Sequence, residues 1–141
     1  MQAGGRHMGP AFDELVPGSD DLPRLLRRFG EAFLSFICKP ESMGTYRMVV
    51  AQAGHSDIGR RFLELGPKLG EEQLAAFFQS EMDGGRLKIA DPSVAAMHLL
   101  ALIGAEAKQP VLMGAMTSPT RQQFKQMVER AVAVFMAAYA S

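Results

Sequence analysis

One cysteine, no tryptophan, two tyrosines and no excess of either charge are what this 141-residue chain has least of. A single Cys38 excludes an internal disulfide and gives no support to a secreted, stapled scaffold, so a cytoplasmic protein is the expectation. Lys plus Arg and Asp plus Glu are 15 each. The basic imbalance of a free-standing nucleic-acid binder is therefore missing. The apolar runs are too short or too interrupted to span a bilayer, and no signal-peptide pattern is present. Against these absences stand ten Met and nine Phe, soft and adaptable packing residues suited to a core that accepts a guest. A chain of this length folds as one domain and buries about 70% of the surface its unfolded form exposes.

Residues 1 to 18 hold four Gly and Pro within the first ten and show no sustained period, so they read as a mostly unstructured leader ahead of a body at 19–141. His7 and Met8 fit a cloning scar or the remnant of something removed. Phe12 and Leu15 are candidates to dock as a short helical fragment. The first firm helix is expected from Ser19 to Cys38, capped by Ser19, Asp20 or Asp21, with Leu22, Leu25, Leu26, Phe29, Phe33, Phe36 and Ile37 on one stripe. Lys39-Pro40 breaks it and opens a second helix carrying Met43, Tyr46, Val49, Val50 and Ala53 as far as Gly54. A short third helix, capped by Ser56 or Asp57, buries Ile58, Phe62 and Leu65 and ends at Gly66-Pro67. The fourth, with Leu74, Phe77, Phe78 and Met82, stops at Asp83-Gly84-Gly85. Residues 86–89 are too short and unpartnered to argue a sheet.

Asp91 and Pro92 open a fifth helix that is apolar nearly all round apart from His98. A loop with Pro110 and Gly114 leads to the sixth and last, expected to start with Ser118 as cap and Pro119 at its first position. That helix, through Tyr139, is two-faced at its start and greasy on every side from Ala131 onward, so it needs partners on more than one side. Six helices and no sheet make an all-α body, and the fifth and sixth are the expected oligomer face.

Catalytic signatures are scarce. There is no Cys pair, His-Glu-x-x-His, Glu-x-x-His, P-loop or Gly-x-Gly-x-x-Gly. Gly54-His55-Ser56-Asp57 holds the residue types of a hydrolytic triad, but sequence neighbours cannot converge as a triad must, and helix capping is the better reading. No enzymatic activity, cofactor or metal site is expected. His98 admits two readings, a hydrogen-bonded core histidine or a polar handle in a ligand pocket, and it has no second metal ligand at i±3 or i±4. Glu106 is expected to be solvated or at a cavity mouth. Tyr46 and Arg47 are structural hydrogen-bonders first and ligand contacts second. Cys38 reads as a small buried hydrophobe.

Three segments in order carry a resemblance. They are TYRMVVAQAGHSDIGRRFLELGPKLGEEQLAAFFQSEMDGGRLKIADPSVAAMHLLALIGA, the loop, and VERAVAVFMAAY. In particular Leu-x-x-Gly-Pro, Gly-Arg-Leu-x-Ile-x-Asp-Pro and the closing Val-x-x-Phe, at these separations, resemble the C-terminal body of TetR-family transcriptional regulators of the AefR-like subgroup, over about residues 20 to 140. The resemblance implies an all-helical body that binds a small molecule between its helices and forms a homodimer through its last two helices as a four-helix bundle. It also implies that effector binding biases two dimer states that differ in operator binding by a helix-turn-helix head. Residues 1–18 show neither that head's pattern nor its basic residues, so this chain by itself is expected not to bind operator DNA. The expected ligand residues are Phe33, Phe36, Tyr46, Val50, Phe62, Phe78, Met97, His98 and Met113, for a mostly apolar effector. The expected dimer residues are Leu99, Ile103, Phe124, Met127, Val128, Ala131, Val132 and Phe135. A helical interaction module without a ligand pocket is the rival reading.

Overall fold

The computed structural model describes residues 9–141, so the reading of His7 and Met8 lies outside the described residues. After one helical turn at 9–12 come α1 (Leu22–Ile37), α2 (Pro40–Gln52), α3 (Ile58–Leu65), α4 (Pro67–Asp83), α5 (Pro92–Gly104), α6 (Lys108–Leu112) and α7 (Arg121–Tyr139). The all-α class holds, with no β-strand among the described residues.

Local chemistry sets the helix ends. The Asp21 carboxylate accepts the Arg24 N–H at 3.2 Å with Pro23 in the first turn of α1, and Asp91 accepts from the Ser93 and Val94 N–H groups ahead of Pro92, as the sequence leads one to expect. The last helix starts later than expected. Thr120, not Ser118, is its cap, because the Thr120 hydroxyl accepts the Gln123 N–H at 3.2 Å while Gln123 Oε1 accepts the Thr120 N–H at 2.8 Å. This reciprocal capping box satisfies two donors, where Ser118 followed by Pro119 would have satisfied one. A short helix, α6, also occupies part of the expected loop around Pro110.

Four helices enclose the core. α1 packs on α7, α7 on α5 and α5 on α4, burying Leu26, Phe29, Leu34, Leu74, Phe78, Leu99, Ile103, Val128, Val132 and Phe135 completely or nearly so. Phe78, Phe135 and Tyr139 form a continuous ring stack with centroids 5.0 and 4.7 Å apart, a geometry that adds to simple burial. Gly30 lets α1 approach α5 and α7 closely, since a Cβ there would lie 2.6 Å from Val128 Cγ1 and 3.3 Å from Ile103 Cδ1.

α2, α3 and α6 form an outer layer held much less tightly. α3 buries no residue and α2 buries only Met43 and Val49. Their hydrophobic stripes therefore differ from expectation: Phe62 is only half-buried and Leu65 is exposed.

Residues 9–18 are more closely bound to the body than a leader would be. Ala11 is buried in the core, Phe12 meets Phe29 edge-on at 5.1 Å, and Gly18 N–H donates to Glu81 Oε2 at 3.2 Å. Phe12 and Leu15 dock against the core. The boundary at 18/19 is thus not a packing boundary; Ala11 and Phe12 bury apolar surface that a polar leader would leave in water.

Candidate functional site

α5 and α7 run antiparallel, and two polar contacts join them. His98 Nδ1 lies 2.6 Å from the Tyr139 hydroxyl. Eight residues on, just past the end of α5, Glu106 takes two hydrogen bonds from Arg130 at 2.7 and 2.9 Å. On either side of this seam the outward residues are small or apolar: Val94, Met97 and Ala101 on α5 with Ala105 just after it, and Ala133, Val134, Ala137 and Ala138 on α7. Val134 is 55% exposed and Met97 46%. A panel of alanines and valine flanked by polar cross-links allows close approach of another helical surface, because small side chains let backbones come near.

This panel is not the expected set. Leu99, Ile103, Val128, Ala131, Val132 and Phe135 are all buried inside the subunit, and Phe124 and Met127 are half-buried against the same core. The regular three-and-four stripe is the face with which these helices pack on the chain's own core. Ala101, Ala105, Val134, Ala137 and Ala138, which the sequence reading did not single out, are exposed instead. Both helices are apolar nearly all round, so residues off the packed stripe are apolar as well.

The expected ligand residues are dispersed. Phe78 lies in the central ring stack, and Phe33 stacks on Phe29 at 5.6 Å. Phe36 is half-buried, with its carbonyl accepting the Ser42 hydroxyl at 2.8 Å. Tyr46 and Phe62 do come together, with centroids 6.1 Å apart and Lys108 Nζ 5.0 Å from the Tyr46 ring centre. Val50, Met97, His98 and Met113 are exposed. Neither reading of His98 as a core or pocket residue fits, because its helix turns that side outward beside Tyr139. The nine residues therefore line no common cavity. Two shallow open depressions, of about 440 and 490 Å³, lie elsewhere: one between α1 and α7 lined by Pro23, Arg27, Glu129, Val132, Ala133 and Met136, the other by Glu31, Arg121, Gln122 and Lys125.

The outer layer is the part that could rearrange around a guest. It is pinned by few polar contacts. Arg47 donates to the Leu112 carbonyl at 2.8 Å and the Val111 carbonyl at 3.0 Å, tying α2 to α6. Met48, Val50, Leu63, Leu65, Leu69 and Met113 remain exposed around it.

The hydrogen bonds from Arg130 hold the Glu106 carboxyl below its ordinary range, with burial opposing and the Arg130 charge assisting. Burial pushes the Cys38 thiol up, the behaviour of an inert buried cysteine. The Glu81 hydrogen bond raises Arg86. At 54–57, Ser56 Oγ accepts the Ile58 N–H and Asp57 pairs with Arg60 and Arg61, so these side chains brace the start of α3, whose cap residue Asp57 makes no side-chain capping bond. Among the described residues no cluster of three metal-ligating side chains is present, and no helix is long and apolar enough to cross a membrane.

The family model for the C-terminal domain of AefR-like transcriptional repressors matches residues 24–141. Among solved structures, a protein assigned to the TetR family of transcriptional regulators from Mesorhizobium loti superposes with a TM-score of 0.90 at 16% identity, over 99% of this chain and 71% of that one. A flavonoid-responsive regulator, FrrA, gives 0.77 at 22% identity over 94% and 72%. A TetR-family transcriptional regulator from Pseudomonas syringae pv. tomato gives 0.73 at 22% identity over 96% and 71%. No curated protein sequence matches the chain.

Proposed function

The chain belongs to the AefR-like transcriptional repressors of the TetR family, as their C-terminal domain, and from that premise we propose that it pairs with a second copy of itself and binds a small apolar effector. It works as a regulatory module in the cytoplasm, not as an enzyme. Control of operator DNA is exerted through the helix-turn-helix head that such regulators carry.

The observation that carries the pairing is the exposed α5–α7 panel. Val94, Met97, Ala101, Ala105, Val134, Ala137 and Ala138 present an apolar surface with little side-chain entropy to lose on contact. Two such helix pairs facing each other across a two-fold axis make a four-helix bundle, the same patch serving both subunits.

For the effector, support comes from the loosely held α2–α3–α6 layer. Displacing it from α4 would open a space next to Tyr46 and Phe62, whose rings and one hydroxyl suit an apolar ligand with a polar group. The name of FrrA makes planar polyphenols a reasonable first panel. Thermal shift tests this: an effector at about 100 times its Kd stabilises the native state by roughly 2.7 kcal/mol. The absence of a common cavity among the nine expected residues favours the rival, a dimerising module without a ligand. A flat response to flavonoids and other apolar compounds, with an intact dimer by sedimentation, would decide for the rival.

A further inference from the structure

Glu81 is a charged side chain only 3% exposed, and no part of the effector or dimer reading uses it. Its carboxylate takes a two-pronged contact from Arg86, Nε at 2.6 Å and Nη2 at 3.1 Å, and also the Gly18 N–H at 3.2 Å. The third guanidinium nitrogen of Arg86, Nη1, donates to the Asp20 carbonyl at 2.7 Å. Both sides of the pair thus reach the segment that enters α1.

The backbone of Arg86 reaches the other way. Its N–H donates to the Glu81 carbonyl at 2.9 Å, and its carbonyl accepts the Ser141 N–H at 3.3 Å. Beside it Leu87 pairs with Ala140 in an isolated antiparallel bridge, and Lys88 N–H donates to the Tyr139 carbonyl at 2.8 Å. Tyr139 is the residue that holds His98 on the α5–α7 face. One residue therefore bonds simultaneously to the end of α4, to the entry segment at 18–20 and to the tail of α7.

The geometry points to Arg86 as a positioning residue that couples the α5–α7 face to the entry segment, so that a displacement of the α7 tail is transmitted to residues 14–20. Charge-assisted bonds of this length are about twice as strong as neutral ones. A buried carboxylate with three donors has no alternative partner in a dry interior. The joint is consequently stiff, and motion at one end moves the other instead of being absorbed between them. This rests on the dimer reading only for its use: in a two-fold dimer the joint would set the separation of the two entry segments.

The test is a cycle of two changes read by amide hydrogen exchange over residues 14–20. The first removes Ala140 and Ser141; the second is Arg86→Ala, with Arg86→Lys as the milder variant should alanine fail to fold. Tail removal in the wild-type chain is expected to speed exchange at 14–20 by about tenfold or more, the scale of one lost charge-assisted or buried bond. In the Arg86→Ala or Arg86→Lys background it should add little, because the transmitting residue is already altered. Unchanged exchange at 14–20 after tail removal, or fully additive effects, would overturn the coupling. Sedimentation of the wild-type chain separates the two ideas: a monomer with the coupling intact refutes the dimer reading and leaves this one standing.

Discussion

Arg130 on α7 closes on Glu106 at the end of α5 through two hydrogen bonds of 2.7 and 2.9 Å, nine residues along α7 from the contact between Tyr139 and His98. The two contacts fix both the register and the antiparallel sense of α5 against α7, leaving the alanine-rich panel between them open. Both side chains are well exposed, so the pair contributes more to alignment than to stability.

The pH dependence of that pair has a definite sign. The Glu106 carboxyl is lowered in the folded chain, chiefly by the Arg130 hydrogen bonds. A depressed carboxylate contributes stability above its unfolded value, near pH 4.5, and loses it as pH falls through the folded value. Urea unfolding should show wild type and Glu106→Gln diverging at neutral pH and converging only once pH falls below the lowered folded value of the carboxyl, since the protonated carboxyl resembles the amide. A gap that stays constant down to acid pH would show that the pair contributes nothing through its charge.

Interface and interior should separate cleanly by substitution. Val134→Glu places a charge on the exposed panel and is expected to give folded monomer, with unchanged circular dichroism and halved mass by sedimentation. Val128→Glu buries an unpaired carboxylate in the core and should unfold or aggregate the chain, as uncompensated buried charges cost several kcal/mol. A folded, soluble Val128→Glu monomer would restore the original stripe as the dimer face.

Gly30→Ala should destabilise by about 1–3 kcal/mol, the usual range for overpacking. The new Cβ would sit 2.6 Å from Val128 Cγ1, and a β-branched side chain in a helix has little rotamer freedom with which to retreat. Combining it with Val128→Ala should recover part of the loss, giving a non-additive pair in denaturant titrations. Purely additive effects would mean that Gly30 matters for some reason other than this contact.

Arg47→Ala removes both side-chain bonds from α2 to the α6 carbonyls. Because the outer layer buries so little, exchange should quicken locally in α2 and α6 while the melting temperature hardly moves. A large drop in global stability would show that the layer is integral to the core.

Much of the fold was legible in the residues. Asp21 and Asp91 before proline-bearing first turns, Lys39-Pro40, Gly66-Pro67 and Asp83-Gly84-Gly85 placed most helix ends, because capping and backbone restriction act over three or four residues. Thr120 was missed although Thr-x-x-Gln stood in plain view, since Ser118-Pro119 offered a competing local signal. The Arg86 hub was not legible: Gly18, Asp20 and Ser141 are distant along the chain from the Glu81–Arg86 pair, and no spacing rule brings them together.

The sequence by itself determined an all-helical chain, its helix order and the existence of two helices greasy on every side. Tertiary structure decided which apolar face each of those helices keeps for its own core and which it leaves open. Periodicity reports that a face is buried, not against what; only packing assigned Val128 and Phe135 to the interior and Val134 and Ala137 to the surface. For the same reason the Phe and Met residues scattered across six helices formed a ring stack, a core and an outer layer instead of one pocket.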